Sequence, residues 1–239
     1  MTWRYVWYGV LIAVPAYTWF KFFKEGYELE KQYKKHLLFL KRHNCAVMFS
    51  AGKRIDWPCD DSVEPPDDDI KGINVIRQYE PILYFIRTAK ESLYIATMFI
   101  HVQCIVDELL AAHKRNVIIK IIVDYNYNKN GTCIQQLQRA GIEVLYYVPP
   151  EPDQCSMFHY KYVVKDFKRD TEDGYLCTGS LNWSVNGVVS NYENLNFISK
   201  FELVAQFRDN FEDAWNIISE MNETNDYIKA TLREMNMYQ

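Results

Sequence analysis

The sequence predicts a layered α/β fold, in which a mixed β-sheet carries helices on both faces and follows an N-terminal transmembrane helix. From residue 75 onward, short runs of β-branched residues alternate with longer segments whose apolar residues recur at helical spacing. The run 117–124 is almost wholly apolar and β-branched, which is typical of a strand buried inside such a sheet. The chain has 239 residues, of which 49% are hydrophobic, so it can fill one sizeable core.

Residues 3–23 are predicted to anchor the chain in a membrane. Residues 5–20 are uncharged, aromatic residues cluster at both ends, and snorkelling of Arg4 and Lys21 would extend this run to the about 20 residues that a span needs. Lysines follow the segment, so the positive-inside rule places the rest of the chain in the cytosol. Two alternatives stay open: a cleaved signal peptide, with small residues at 14–16, and a buried helix of the soluble domain.

After the anchor we expect a juxtamembrane helix at 24–45, a single catalytic domain at 46–220 and a polar, mobile tail at 221–239. An acidic loop rich in Asp and Pro occupies 56–72. The predicted strands are 46–50, 93–99, 117–124, 143–148, a strand that begins near residue 159, 175–182 and 194–199. The predicted helices of the domain are 75–91, 105–115, 132–140 and 201–218.

The charge and the cysteines limit the classes of function. A formal net charge of −4 argues against non-specific coating of nucleic acid. A local basic groove is still compatible with that charge, and Lys165, Lys168 and Arg169 could line one, although a solvated turn is the alternative interpretation. The six cysteines form no C-x-x-C pair and are spread over predicted strands and helices, which is typical of reduced thiols in a cytosol-facing domain.

Two short motifs hold the candidate catalytic residues. The first begins at His159 and reads H-x-K-x-x-x-x-D, and the second reads G-S-x-N and ends at Asn182. His159 and Lys161 are two residues apart, so on a strand both side chains point to one face, and Ser180 and Asn182 share this spacing. One surface would then present an imidazole, an ammonium group, a hydroxyl and an amide.

This set of groups suits the cleavage of a phosphodiester. A neutral imidazole such as that of His159 can attack phosphorus and form a covalent phosphohistidine. Lys161 supplies a compact positive charge for phosphate oxygens, while Ser180 and Asn182 can donate hydrogen bonds to oxygens whose charge rises in the transition state. Because fixed donors and a cation do this work, we expect no metal and no cofactor.

The two motifs resemble the HKD motif and the companion G-S-x-N segment of the phospholipase D superfamily. The stretch 179–194 is particularly similar to the Zucchini/mitochondrial phospholipase D branch, and the resemblance covers roughly residues 73–218 together with the N-terminal anchor. It implies a phospholipase D-like fold and adds two catalytic candidates, Asp166 of the first motif and Glu193, a carboxylate that would orient the catalytic histidine. Asp166 lies an odd number of residues from His159, so a structural ion pair or a turn cap is its alternative role; a loop acid is the alternative for Glu193.

The acidic loop departs from the Zucchini-type pattern, in which a zinc-binding insertion built from Cys and His occupies this place. Here only Cys59 lies in the loop, with His43 and Cys45 upstream. A structural zinc needs four ligands, so these three scattered residues form a weak set. The sequence leaves open whether a zinc site remains near Cys45 and Cys59, and we expect activity not to depend on it.

The single H-x-K motif predicts a homodimer with a shared active site. In-line displacement at phosphorus places the nucleophile and the leaving group on opposite sides of the phosphate, so one histidine cannot both attack and protonate the leaving oxygen. We therefore expect His159 of one chain to attack while the partner's His159 acts as the general acid, across a two-fold axis.

Three functions fit these motifs. The first, implied by the resemblance, is a single-strand-specific endoribonuclease that cuts piRNA precursors at the mitochondrial outer membrane, with Tyr160 or Tyr162 stacking on bases. The second is a phospholipase D that hydrolyses cardiolipin and produces phosphatidic acid, and the third is a catalytically silent, membrane-tethered binding protein. Single-stranded RNA and cardiolipin both present a phosphodiester to the same four groups, so the sequence does not decide between them.

Overall fold

The computed structural model describes the backbone of residues 2–58 and 75–237 and the side chains of residues 14–58 and 75–235. Most of the predicted acidic loop, including Cys59, lies outside these described residues. The chain divides into two compact units, Met1–Lys41 and Arg42–Gln239, and the second contains all the strands that the structure describes.

One continuous helix, α1 (Thr2–Arg42), takes the place of the predicted anchor at 3–23 and of most of the predicted juxtamembrane helix at 24–45. In the part of the chain that the structure describes, no helix combines the length and the apolar character needed to cross a membrane. The expected transmembrane helix therefore has no counterpart among the described residues. The side chains of residues 3–13, on which much of the anchor prediction depends, lie outside the described ones.

The second unit is built on one mixed sheet of eight strands, which confirms the predicted α/β class. The strands are β1 (Cys45–Ser50), β2 (Lys53–Ile55), β3 (Ser92–Thr97), β4 (Ile118–Asp124), β5 (Glu143–Tyr147), β6 (Lys161–Lys168), β7 (Asp173–Gly179) and β8 (Tyr192–Ile198). Their order across the sheet is β2-β1-β8-β7-β6-β3-β4-β5. The pairs among β3, β4 and β5 are parallel, and the other pairs are antiparallel.

Helices cover both faces of this sheet. They are α2 (Val75–Arg87), α3 (Gln103–Lys114), α4 (Tyr125–Asn128), α5 (Thr132–Arg139), α6 (Val185–Val189), α7 (Phe201–Thr224) and α8 (Asp226–Met237). On one face, strand residues such as Ile95 and Val163 pack with α2 and α3, while on the other face Ala96 and Ile122 pack with Phe211 of α7. Consecutive strand residues thus enter opposite core layers, as the two-residue period of a strand requires.

The C-terminal segment differs from the sequence-based expectation. Where a polar, mobile tail was expected at 221–239, α7 continues to Thr224 and α8 follows it. Within α8, Ile228 and Met235 are buried, and the half-buried Leu232 lies between them at helical spacing. This sparse apolar stripe is easy to overlook in a segment that is otherwise polar.

The register of β6 brings both motifs to one edge of the sheet. Because β6 is antiparallel to β3 and to β7, its first residue, Lys161, lies opposite Thr97 at the end of β3 and beside the end of β7. We call this edge the motif edge; it consists of the ends of β3, β4 and β7 and the beginnings of β6 and β8.

Candidate active site

His159 and Lys161 stand side by side at the motif edge, just before and at the start of β6. The Lys161 ammonium lies 3.2 Å from Nδ1 and 3.1 Å from Nε2 of His159, and it donates to the His159 carbonyl oxygen at 3.2 Å. Burial lowers the pKa of Lys161, and the nearby Glu193 carboxylate partly offsets that effect. The His159 side chain is exposed, so its ring can meet a substrate next to a cation.

Ser180 and Glu193 add a hydroxyl and a carboxylate from the neighbouring strands. The Ser180 hydroxyl donates a short hydrogen bond to one oxygen of Glu193, and the Asn191 amide donates to the other at 2.9 Å. The backbone N–H of Asn194 in turn donates to Ser180 Oγ at 3.0 Å. Among the described hydrogen bonds, Glu193 therefore contacts Ser180 and Asn191 and not His159, to which the resemblance assigns it.

Gly179 allows β7 and β8 to approach closely enough for these contacts. A Cβ atom at Gly179 would lie 2.1 Å from the Asn194 carbonyl oxygen, far inside van der Waals contact. The same oxygen accepts from the Ser180 backbone N–H at 3.1 Å. The glycine that opens the second motif is therefore required by backbone packing, and it fixes the position of Ser180.

Asn182 is held at the motif edge through its backbone. Its carbonyl oxygen accepts from the hydroxyl of buried Tyr79 at 3.1 Å and from the backbone N–H of Ser184 at 2.9 Å. Its side-chain oxygen is buried and has no hydrogen-bond partner among the described residues, which is uncommon for a buried polar atom. The backbone of Asn182 is therefore fixed at the motif edge, while the phosphate contact expected of its side-chain N–H groups stays a prediction.

Asp124, the last residue of β4, belongs to the site, although the sequence pattern predicts only the end of a strand there. It is fully buried, and its carboxylate accepts from the backbone N–H of Phe158 at 2.8 Å and of Asn126 at 2.9 Å. Burial raises its pKa, while these hydrogen bonds and the nearby His159 act in the opposite direction. By holding the residue before His159, Asp124 positions the candidate nucleophile. An Asp that ends a buried strand at the motif edge is the sequence signal for it.

A family model described as "Cardiolipin synthase, PLD-like domain" matches residues 82–215, which include every residue of the two motifs. The chain belongs to the phospholipase D superfamily. Its relatives include proteins named mitochondrial cardiolipin hydrolase.

Individual comparisons agree with this membership. The chain is 32% identical over 108 residues to the mitochondrial cardiolipin hydrolase of Danio rerio, an alignment that covers 45% of this chain and 43% of that protein. It is 34% identical over 104 residues to that of Homo sapiens, with coverages of 43% and 37%. NucT from Helicobacter pylori has a similar fold, with a TM-score of 0.50 at 21% identity over 58% of this chain and 87% of that chain. The alignments thus span less than half the length of these two hydrolases.

Asp166, the last residue of the HKD motif, lies at the far end of β6 from His159. Its φ angle is +50°, and its carboxylate accepts from the backbone N–H groups of Lys90, Glu91 and Ser92 at 2.8–3.1 Å. This contact fastens the loop before β3, which is the structural role predicted as the alternative for Asp166. The structure does not bring Asp166 together with the other motif residues.

The basic groove expected from Lys165, Lys168 and Arg169 is not formed by these residues. Lys165 is fully buried, because it lies on the same face of β6 as Lys161 and Val163, and α2 covers that face at Lys165. Lys168 pairs with Glu91, and Arg169 pairs with Asp209, near the end of β6 that is remote from the motif edge. The other interpretation, a solvated turn, fits Lys168 and Arg169, which lie at and just after the end of β6, with Lys168 partly exposed and Arg169 exposed.

Two of the three zinc candidates, His43 and Cys45, lie among the described residues, and each has another contact there. His43 is buried and contacts the Lys165 ammonium, and the Cys45 thiol donates to the Arg42 carbonyl oxygen at 3.7 Å. Among the described residues there is no group of three or more His, Cys, Asp or Glu side chains that could hold a metal ion. Cys59 lies outside the described residues, so the loop itself is not tested.

The two tyrosines considered for base stacking have different environments. Tyr162 is buried, and its hydroxyl donates to Asn210 at 2.8 Å, so it belongs to the core. Tyr160, next to His159, has 45% of its surface exposed and packs edge-on against Phe158. Of the pair, only Tyr160 can contact a ligand at the motif edge.

Proposed function

We propose that this phospholipase D superfamily member cleaves its phosphodiester without a metal, through a phosphohistidine on His159. The observation that carries this proposal is the exposed imidazole with the Lys161 ammonium against its ring, beside the Ser180–Glu193 pair on the adjacent strands. These groups supply a nucleophile, a fixed cation and oriented donors within one small region.

The reaction would proceed in two displacements. In the first, a ring nitrogen of His159 forms a bond to phosphorus while the bond to the leaving oxygen breaks and that oxygen takes up a proton. In the second, water attacks the phosphohistidine, its proton goes to a general base, and His159 is released with a phosphate monoester as product. Lys161 stabilises the negative charge on the phosphate oxygens in both steps.

We infer that two chains share this site. The leaving oxygen departs on the side of the phosphate opposite to His159, so its proton must come from a group that this His159 cannot provide. A two-fold dimer would bring the partner's His159 to that side, and it would then act as the general base in the second step. We expect the rate per chain to fall on dilution, in parallel with the fraction of dimer measured by sedimentation.

Single-stranded RNA is the substrate that we propose first. Its support in the structure is the exposed ring of Tyr160, the residue that follows His159 in the chain, because bases of any sequence can stack on an aromatic side chain. Processing of piRNA precursors, which the Zucchini-type resemblance implies, is the corresponding biological role.

Cardiolipin is the second candidate substrate. The relatives from Danio rerio, Mus musculus and Homo sapiens all carry the name mitochondrial cardiolipin hydrolase, and this supports a lipid phosphodiester for the present chain. The same names support a place at the mitochondrion, and the outer membrane with a cytosolic catalytic domain is the location that we propose. Fractionation of cells that express the tagged chain, with protease treatment of intact mitochondria, tests this location.

The deciding experiment uses the full chain in EDTA with two substrates, end-labelled single-stranded RNA and vesicles that contain cardiolipin. A matched pair of variants, His159→Ala and His113→Ala, separates the candidate nucleophile from a histidine at the end of α3. We expect RNA cleavage that survives EDTA, is lost in His159→Ala and persists in His113→Ala. Release of phosphatidic acid without RNA cleavage would instead establish the lipid substrate, and inactivity on both would favour the silent binding protein.

A further inference from the structure

Three aromatic rings that no motif includes form a cluster at the motif edge. Phe99 and His101 follow β3, and their rings stack with centroids 4.5 Å apart and an interplanar angle of 17°. Tyr127, in α4, packs against Phe99 with centroids 6.0 Å apart and an angle of 33°. We call Phe99, His101 and Tyr127 the aromatic cluster.

The His101 ring is held in place by hydrogen bonds on both sides of the cluster. Its Nε2 lies 2.9 Å from the Tyr127 carbonyl oxygen, and since a carbonyl only accepts, Nε2 carries the proton and donates. The His101 backbone N–H donates to the Trp183 carbonyl oxygen at 2.9 Å, and Ile100 forms a bridge with Trp183. Trp183 directly follows Asn182, so the cluster adjoins the second motif.

Asp124 connects the same cluster to the first motif. Its carboxylate accepts from the backbone N–H of Phe158, next to His159, and from that of Asn126, next to Tyr127. One buried side chain thus fixes both the approach to the candidate nucleophile and one wall of the cluster. The cluster is therefore linked through Asp124 to the residue before His159, and through Trp183 to the residue after Asn182.

The exposure of these rings distinguishes the cluster from core packing. His101 is exposed, Phe99 is half-buried, and Tyr127 has 44% of its surface exposed, although aromatic rings are usually buried to a greater extent. A stacked, hydrogen-bonded ring that is exposed to solvent is a preorganised platform, so the protein would lose little conformational freedom when a planar ligand binds to it.

We propose that the aromatic cluster is a stacking subsite for the base of a nucleotide next to the cleaved phosphodiester. This inference rests on the proposed action on single-stranded RNA and adds a determinant to it. Stacking on a ring accepts all four bases, so the subsite would select unpaired strands without selecting sequence. In a duplex the bases stack on each other, and their faces are not available to His101.

The test compares two substrates on the full chain in EDTA: a single-stranded RNA cut at one mapped position, and the same RNA with an abasic ribose beside that position. Replacing an aromatic side chain that stacks on a base by alanine typically weakens binding by about tenfold. We expect His101→Ala to raise KM for the intact RNA about tenfold while kcat changes less than threefold. On the abasic RNA, His101→Ala and the wild type should have the same KM, because the interaction is already absent.

Two further variants make the result specific. His101→Phe retains a ring and should recover most of the affinity, whereas His113→Ala, with a histidine outside the cluster, should behave as the wild type. An equal effect of His101→Ala on both RNAs would mean a structural role and would overturn the subsite. If the wild type cuts neither RNA but hydrolyses cardiolipin vesicles, then the proposed RNA substrate itself fails and the subsite fails with it. RNA cleavage with unchanged KM in His101→Ala overturns the subsite alone.

Discussion

Replacing Lys165 by methionine tests how the buried lysine of β6 affects the stability of the fold. Lys165 is fully buried, and its ammonium donates to Thr88 Oγ1 at 2.9 Å, contacts His43, and lies 4.4 Å and 4.9 Å from the ring centroids of Phe85 and Tyr175. Methionine has a similar length and no charge, so it can fill the same space between these rings.

The expected effect follows from the pKa of Lys165. Burial lowers this pKa from 10.5 to about 7, although Asp166 and Cys177 partly stabilise the charge and Lys90 opposes it. Because the folded pKa is the lower one, the unfolded chain binds more protons between pH 7 and 10.5, and the free energy of unfolding rises with pH in that window. The full effect below pH 7 is about 5 kcal/mol, of which the wild type regains about 2 kcal/mol between pH 7 and 8.5.

Lys165→Met removes this penalty and also the hydrogen bond to Thr88, a loss of about 1–3 kcal/mol. We therefore expect the variant to be about 2 kcal/mol more stable than the wild type at pH 7. This advantage should fall by about 2 kcal/mol by pH 8.5, as the wild-type lysine loses its proton. Cysteine thiols of the unfolded chain, with an ordinary pKa of about 8.5, begin to ionise near the upper limit of this range, but they do so in both proteins and this effect cancels in the stability difference.

Urea unfolding at pH 7.0, 7.5, 8.0 and 8.5, followed by tryptophan fluorescence, measures the difference between the two proteins. Lys168→Met is the matched control, because Lys168 lies on the same strand but is partly exposed and pairs with Glu91. Its stability difference from the wild type should be small and constant over this range. A stability difference for Lys165→Met that does not change with pH would refute the argument, since it would mean that Lys165 keeps the same protonation state throughout.

Two other substitutions test the packing around the motifs. Gly179→Ala should destabilise the fold by about 2–4 kcal/mol and reduce phosphodiesterase activity, because the new methyl group collides with the Asn194 carbonyl oxygen; urea unfolding and a rate measurement on the same sample check both effects. Asp166→Ala should lower the free energy of unfolding by about 1–3 kcal/mol, since three backbone N–H groups lose their acceptor. A loss of rate at unchanged stability would assign Asp166 to catalysis instead.

The structural features that the sequence predicted correctly are those that depend only on residues close together in the chain. Alternation of apolar residues located seven of the eight strands, and the two-residue spacing placed His159 beside Lys161, because both features are set by the geometry of a single strand. The missed strand, β2, has three residues and no buried side chain, so it leaves no apolar pattern to read. The start of α7 at Phe201 was likewise predictable from its helical period.

The sequence did not predict the roles of residues whose contacts lie in a distant part of the chain. Lys165 was assigned to a surface because lysines are seldom buried, yet His43, 122 residues earlier, provides a contact that accommodates it. Asp124 acts on Phe158, 34 residues later, and the pairing exists only because β4 and the segment before β6 end at one edge. Such contacts follow from strand order, which the local pattern of apolar residues does not specify.

The hydrogen bond between Ser180 and Glu193 occupies both groups, although Ser180 is expected to bind phosphate and Glu193 to orient His159. A serine hydroxyl has one proton, so while Ser180 donates to Glu193 it cannot also donate to a phosphate. When a phosphate enters, its oxygens compete for that proton and for the Lys161 ammonium, which now rests against His159. Transfer of both donors to the phosphate would free one Glu193 oxygen as an acceptor and would uncover the His159 ring nitrogens. Substrate binding would thus prepare, by an exchange of hydrogen bonds, the groups that the resemblance assigns to catalysis.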